Sequence, residues 1–264
     1  MCSPIFGAIR PWLRRLPRER FPTLDELNAL VEPAMTTGGG QPLRFVRPLP
    51  AQRAFHSQYE VRIFRTGEVP TREANWHDLF NALAWLAFPT TKAAINSRHY
   101  QLMRQAVRER GDTRGPRGTA RDVLTLFDEG GMIVISTDKE LLDLLQDFRW
   151  KELFCTRRSQ VVQRMEFFVF GHALYEKALE PCSGVTAKSL LLGVRERFLS
   201  ADLRTRLDGI DGRAALWFLR PEALVSTRAL SPLPVLGVPG WAKNDDPAFY
   251  DDEQVFRRGY QSPA

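Results

Sequence analysis

The centre of the fold is predicted by one stretch of sequence, residues 75–89, which reads NWHDLFNALAWLAFP. Its apolar side chains recur at intervals of three and four residues, which places them along one side of an α-helix. Asn75 is a favourable N-cap residue, and Phe88 followed by Pro89 marks the end of the helix. The stretch therefore predicts an amphipathic helix that packs in the core.

A second helix is predicted over residues 91–110, directly after the proline. On both helices several polar side chains fall within a narrow arc when successive residues are placed 100° apart. Helices that are joined by a short turn usually pack antiparallel, so we expect the two polar arcs to face each other. The side chains that would meet are His77, Asp78, Asn81, Lys92, Asn96 and His99.

Two further segments add polar groups to this region. His172 precedes Glu176 by four residues, the spacing that lets two helical side chains share one ligand. A third helix, predicted over residues 119–128, contributes Asp122, Asp128 and Glu129 to its polar side. If these helices converge, imidazoles and carboxylates line one pocket, and this mixture of nitrogen and oxygen ligands suits zinc, manganese or iron.

We assign roles within this pocket by residue type. Asp78 is a candidate ligand or general base, Lys92 would neutralise an anionic substrate, and Asn81 and Asn96 would orient the reacting groups. A bound divalent metal, zinc or manganese, would lower the pKa of a water molecule for hydrolysis. The metal ligands predicted from the sequence are His77, His99, His172 and Glu176.

A structural interpretation of the same residues stays open. Asp78 also suits the positive end of a helix dipole, and Asn81 and Asn96 can bridge backbone groups between helices. His99 and His172 can be buried histidines of the core. The sequence contains neither the H-E-x-x-H motif of metalloproteases nor a P-loop, so no single motif decides between the two interpretations.

The chain of 264 residues is predicted to be one α+β domain, mainly α, with two irregular ends. Residues 1–22 carry several arginines and apolar side chains at helical spacing, and we expect a basic amphipathic arm that docks on the domain. Residues 231–264 are expected to form an extended strap, because their prolines exclude a helix while their apolar side chains favour packing.

Local patterns predict several further elements. Thr23 and Glu26 form a capping box, which predicts a short helix from that point. Residues 59–64 alternate apolar and polar side chains, and a turn at residues 66–68 would complete a small β-hairpin. Helices are expected over residues 157–179, the longest candidate, and over residues 187–207.

Composition excludes several classes of protein. Hydrophobic residues make up 44% and charged residues 26% of the chain, which is typical of an ordinary globular protein and not of a disordered one. No stretch of 18 apolar residues is present, so we expect no transmembrane helix. The three cysteines are far apart and form no metal-binding pair, which favours the cytoplasm.

The chain has a net charge of +6, and its most basic stretch runs from Arg98 to Arg121. This stretch contains seven arginines and two acidic residues, which gives this basic surface a net charge of +5. Such a surface can bind the phosphates of a nucleic acid or an acidic partner protein. A solvated loop without a partner is the other interpretation, because residues 110–118, the loop half of this stretch, contain no aromatic side chain to stack on a base.

Residues 75–89, followed by Lys92, Asn96 and His99, resemble a family of uncharacterised proteobacterial proteins, domain of unknown function 3025. Residues 169–174 (VFGHAL), 232–241 (PLPVLGVPGW) and 246–251 (DPAFYD) are similar to the same family. The resemblance implies a bacterial protein with one domain, and it implies no particular activity.

From the residues themselves we expect a cytosolic protein with a helix-lined His/Asp/Asn pocket, acting as a metal-dependent hydrolase on a phosphate-containing substrate. The alternative is a non-enzymatic module that binds nucleic acid or protein through the basic surface. The oligomeric state is left open.

Overall fold

The computed structural model describes residues 3–50, 54–111, 118–180 and 184–257. Helices account for most of the regular structure in this part of the chain, and two small sheets accompany them. The helices are α1 (Arg10–Leu13), α2 (Leu24–Asn28), α3 (Tyr59–Thr66), α4 (Trp76–Ala87), α5 (Pro89–Arg110), α6 (Thr119–Gly130), α7 (Lys139–Gln146), α8 (Arg158–Arg164), α9 (His172–Lys177), α10 (Glu196–Leu199) and α11 (Leu203–Leu219). The strands are β1 (Arg44–Val46), β2 (Glu68–Pro70), β3 (Gly131–Ser136), β4 (Met165–Val169), β5 (Thr186–Gly193) and β6 (Ser231–Pro234). The prediction of a mainly helical α+β fold is confirmed.

The larger sheet has the strand order β4-β3-β5-β6. Strand β3 pairs parallel with β5 and antiparallel with β4, while β6 pairs antiparallel with β5 at the edge. Every residue of β3 is buried, as expected for the apolar central strand of a sheet that is covered on both faces. Strands β1 and β2 form a separate parallel pair.

Helix α4 begins where the sequence predicted it. The side chain of Asn75 accepts a hydrogen bond from the backbone N–H of Asp78 at 2.9 Å, and ten of the twelve residues of the helix are buried. Helix α5 follows directly after Phe88. Its first N–H groups are capped from α11, because Asp211 accepts hydrogen bonds from the N–H groups of Thr90 and Thr91 at 2.8 Å each.

The β-hairpin predicted around residues 59–68 is wrong, because residues 59–66 form α3. Two features override the local β-like alternation. The ring of Phe64 stacks on Tyr100 of α5, with the ring centroids 3.8 Å apart. Gly67 has a φ of 75° and ends α3 as a left-handed C-cap, so the Thr-Gly pair closes a helix instead of turning a hairpin. Tertiary packing outweighs strand propensity at such positions.

The long helix predicted over residues 157–179 is also wrong, because the segment divides into α8, β4 and α9. Its middle residues pair with β3, and the chain then turns at Gly171. The helix predicted over residues 187–207 is likewise replaced by β5, α10 and the start of α11. In both segments short apolar runs complete the sheet, and such runs do not distinguish a buried strand from a helix.

The two ends of the chain pack on the rest of the molecule. In the N-terminal segment Ile5, Phe6, Ile9 and Trp12 are buried. In the C-terminal segment Asn244 is fully buried and donates hydrogen bonds to the carbonyls of Leu236 and Val238, both at 2.8 Å. The last seven residues of the predicted strap, 258–264, and residues 1–2 of the predicted arm lie outside the described residues.

Within the described residues no helix is both long enough and apolar enough to cross a lipid bilayer.

Candidate metal centre

Three side chains from three different helices bring their ligand atoms together. They are His77 at the start of α4, Glu129 near the end of α6 and His172 at the start of α9, and one ligand atom of each lies within 4.8 Å of the other two. The Nε2 atoms of His77 and His172 are 3.1 Å apart. The Glu129 Oε2 lies 3.3 Å from Nε2 of His172 and 4.0 Å from Nε2 of His77. We call these three residues the metal centre.

Local backbone geometry explains why Glu129 and His172 meet. The N–H groups of Phe170 and Gly171 both donate to the carbonyl of Gly131, at 3.0 and 2.9 Å, which ties the turn before α9 to the end of α6. A Cβ atom on Gly171 would lie 2.4 Å from both the carbonyl oxygen of Glu129 and the backbone nitrogen of Gly131. Only glycine therefore allows the two segments to approach this closely.

Each imidazole of the metal centre turns its second nitrogen toward another carboxylate. The Nδ1 atom of His77 lies 3.1 Å from Oε2 of Glu176. The Nδ1 atom of His172 is buried without a hydrogen-bond partner in the described part of the chain, and the nearest carboxylate oxygen, Oδ2 of Asp128, is 3.9 Å away. Metal-binding histidines usually direct their second ring nitrogen at a carboxylate or a carbonyl in this way.

Lys92 and Asn81 lie beneath the metal centre and not within it. The buried ammonium of Lys92 donates to Oδ1 of Asp128 at 2.6 Å and to Oδ1 of Asn81 at 2.7 Å. The amide of Asn81 in turn donates to the hydroxyl of Tyr59 at 2.8 Å. Burial alone would raise the pKa of Asp128, but the charges of Lys92 and His172 outweigh burial and lower it. The chain of contacts holds Asp128 ionised beside His172.

Asp78 is held by a neighbouring arginine. Its carboxylate accepts hydrogen bonds from the backbone N–H of Arg72 at 2.7 Å and from the guanidinium of Arg72 at 2.8 and 2.9 Å. Burial opposes ionisation of Asp78, but these contacts outweigh it and lower the pKa. Its predicted role as ligand or general base stays a prediction. In this geometry both of its carboxylate oxygens accept hydrogen bonds from Arg72.

Asn96 and His99 are buried on α5. The amide of Asn96 donates to the carbonyl and the carboxylate of Glu60, at 2.9 and 2.7 Å, and so connects α5 to α3. His99 lines the same cleft as the metal centre but does not belong to the group of three converging ligand atoms.

The metal centre opens into a cleft of about 500 Å³, which we call the metal cleft. It is lined mostly by polar and charged side chains, among them two arginines, Arg72 and Arg121. The hydrogen bond with His172 is the main reason that the pKa of Glu129 lies below its ordinary value. Glu129 is therefore a carboxylate at neutral pH, the form that binds a metal.

Of the four metal ligands predicted from the sequence, the structure brings together His77 and His172, places Glu176 behind His77, and leaves His99 in the cleft wall. Glu129 takes the third position; the sequence analysis placed it among the acidic residues of the pocket but did not predict it as a ligand. A signal was its position: Asp128 and Glu129 lie in the last turn of α6, where the helix dipole disfavours negative charge.

The described arginines of the basic surface from Arg98 to Arg121 lie in two places. Arg104 and Arg108 are exposed on α5, whereas Arg121 lines the metal cleft. The loop between them, residues 112–117 with Arg114 and Arg117, lies outside the described residues.

Fold and site together define a mainly helical α+β protein with a histidine and carboxylate cluster at the mouth of a polar cleft. The chain belongs to the family described as protein of unknown function (DUF3025), whose model matches residues 43–260. No curated protein and no solved structure matches the chain significantly.

Proposed function

We propose that the metal centre binds a divalent cation, zinc or manganese, and that the protein is a metal-dependent hydrolase of a phosphate-containing substrate. The observation that carries this proposal is the convergence of His77, Glu129 and His172. Ligand atoms around a metal at about 2.1 Å lie about 3.0 to 3.4 Å apart in octahedral or tetrahedral geometry. The Nε2 pair at 3.1 Å and the Glu129–His172 contact at 3.3 Å fit this spacing, and the Glu129–His77 separation of 4.0 Å would have to shorten when a metal binds.

The charges around the metal centre favour a cation. Glu129, Glu176 and Asp128 all contact its histidines, and Lys92 supplies the single neighbouring ammonium among the described contacts. With both imidazoles neutral, the group carries two negative charges in excess, which a divalent metal would neutralise.

The carboxylates behind the histidines support the same assignment. A carboxylate next to Nδ1 of an imidazole keeps the proton on that nitrogen and leaves the lone pair of Nε2 for a metal. Glu176 stands in this position toward His77, whereas Oδ2 of Asp128 is 3.9 Å from Nδ1 of His172 and makes no hydrogen bond with it. Lys92 holds Asp128 in place.

Three protein ligands leave a coordination position for water, and a bound metal lowers the pKa of that water toward neutrality. Arg121 and Arg72, the latter paired with Asp78, lie in the wall of the metal cleft and add positive charge near an anionic substrate. These two arginines favour a phosphate group over a neutral substrate. The predicted location in the bacterial cytoplasm is part of this proposal.

The test is hydrolysis of p-nitrophenyl phosphate by protein that has been stripped with a chelator and then loaded with Zn²⁺ or Mn²⁺. We expect turnover that depends on added metal and is lost in His172→Ala. The matched control is His56→Ala, because His56 is exposed and lies outside the metal cleft. Equal turnover in the stripped and the loaded protein, or full activity in His172→Ala, would contradict the proposal.

The exposure of Arg104 and Arg108 favours the second candidate function, binding of nucleic acid or an acidic protein through the basic surface. An electrophoretic mobility assay with single-stranded and duplex DNA at low salt tests the nucleic-acid form of this candidate. Retarded DNA that is released by the double substitution Arg104→Ala/Arg108→Ala would support it, and no retardation at low salt would contradict it.

A further inference from the structure

A second and larger cleft lies at the opposite end of the β4-β3-β5-β6 sheet. It has a volume of about 970 Å³ and shares no lining residue with the metal cleft. Ser136 and Gly193, the last residues of the parallel strands β3 and β5, both line it. Ligands of α/β sheets commonly bind outside the carboxyl ends of parallel strands.

Positive charge dominates the rim of this cleft, which we call the arginine cleft. Three arginines, Arg195, Arg197 and Arg213, line it together with Lys139. The one carboxylate in the lining is Asp143, which is already paired with Lys139 at 2.6 Å. The arginines therefore have no neutralising partner within the cleft.

The three arginines differ in whether a hydrogen bond to the protein fixes the side chain. Arg213 donates to the carbonyl of Gly193 at 2.8 Å, which fixes its guanidinium at the end of β5. The side chains of Arg195 and Arg197 make no ion pair with a described residue, so their donors are available to a ligand. Guanidinium groups bind phosphate through paired N–H donors, and several arginines around one cavity favour phosphate over a carboxylate.

Apolar side chains form the rest of the cleft. Leu142, Leu191 and Phe198 are among its lining residues. The Phe198 ring packs on α11 at Gly209, where a Cβ atom would lie 2.7 Å from Cε2 of the ring. A fixed aromatic ring beside a group of arginines suits a ligand that combines a phosphate with a flat apolar group.

We propose that the arginine cleft binds a small organic phosphate of the nucleoside monophosphate type. Its phosphate contacts Arg195, Arg197 and Arg213, and its base lies on Phe198. The N–H groups at the start of α7 are not assigned to the ligand. Asp138 caps this helix, because its side chain accepts a hydrogen bond from the N–H of Glu140 at 3.0 Å.

The test is isothermal titration of the purified full chain with adenosine 5′-monophosphate, inorganic phosphate and glucose 6-phosphate as separate probes. We expect adenosine 5′-monophosphate to bind most tightly, and we expect Arg195→Ala/Arg197→Ala to weaken it by a factor of about ten or more. The matched control, Arg65→Ala/Arg228→Ala, removes the same charge from exposed positions that line neither the arginine cleft nor the metal cleft, and it should leave the affinity unchanged.

A second variant separates the base from the phosphate. Phe198→Ala should weaken binding of adenosine 5′-monophosphate and leave inorganic phosphate unaffected. Binding of all three phosphates with equal affinity would overturn the aromatic part of the proposal. No binding of any probe at millimolar concentration, or equal losses in the two arginine double variants, would overturn the site itself. Because the two clefts share no lining residue, loss of binding in Arg195→Ala/Arg197→Ala distinguishes this site from a phosphate bound in the metal cleft.

Discussion

Strand β3 runs between two polar sites of opposite charge. Its first residue, Gly131, follows shortly after Glu129 of the metal centre, and its last residue, Ser136, lines the arginine cleft. At about 3.3 Å per residue the two ends of the strand are about 17 Å apart. The molecule therefore concentrates carboxylates at one end of its central strand and arginines at the other.

The two sites also differ in how their charges are held. Around the metal centre Lys92 and His172 are buried and Asp128 lies between them, while the side chains of His77 and Glu129 are half-buried. Around the arginine cleft Arg195 and Arg197 are exposed and unpaired within the described structure. Converging ligand atoms suit a small cation, whereas exposed guanidinium groups that are free of ion pairs suit a larger anion.

The largest effect is expected for Lys92→Met. The substitution removes the ammonium from a buried pair and leaves Asp128 without its neutralising partner, which costs about 3–5 kcal/mol in the free energy of unfolding. The matched control at the other end of the sheet is Lys139→Met. The Lys139 side chain is 84% exposed, so loss of its pair with Asp143 should cost less than about 1 kcal/mol. Urea denaturation of both variants measures the difference in their free energies of unfolding. Similar losses in the two variants would contradict the difference between the two sites.

A smaller loss is expected for Gly171→Ala. The new Cβ atom would lie 2.4 Å from backbone atoms of both Glu129 and Gly131, so α9 must move away from α6. We expect a loss of about 1–3 kcal/mol in stability together with weaker metal binding. Gly193→Ala is the control at the other end of the sheet, since its Cβ meets nothing within 4 Å and should change stability by less than about 0.5 kcal/mol. Wild-type metal affinity in Gly171→Ala would show that this close approach does not set the geometry of the metal centre.

The smallest effect concerns acid stability. The pKa values of Asp128 and Glu129 are lowered in the folded protein, so the native state binds fewer protons than the unfolded chain. The resulting stability is present above the unfolded pKa values, about 3.9 and 4.3, and is lost as pH falls below them. We expect Asp128→Asn to show a shallower loss of stability than the wild type when the metal-free protein is taken from about pH 6 to pH 3. An unchanged pH profile would mean that Lys92 and His172 do not favour the ionised form of Asp128.

The sequence predicted those parts of the fold whose signals are local. Asn75 as a cap and Pro89 as a stop define α4, and Thr23 with Glu26 defines the start of α2, because each of these signals acts within one helical turn. Strands β4 and β5 were missed. Their side chains satisfy a helical pattern equally well, and only pairing with β3 makes them strands.

The distinction between local signals and long-range contacts also applies to the metal centre. His77 and His172 were predicted as partners because histidine is rare in this chain and both fall on helices. Glu129 could not be ranked above His99 as the third ligand, since that choice depends on how α9 meets α6. The close approach at Gly171 decides it, and nothing in the local sequence reports such a long-range contact.

The most direct test of the central claim is the metal content of the chain purified without a polyhistidine tag. Elemental analysis after exposure to Zn²⁺ or Mn²⁺ and removal of free ions should find equimolar metal in the wild type and in His56→Ala. The double variant His77→Ala/His172→Ala should hold none while keeping its helical circular-dichroism spectrum. Absence of either metal from the wild type, or equimolar metal that survives the double substitution, would contradict the account.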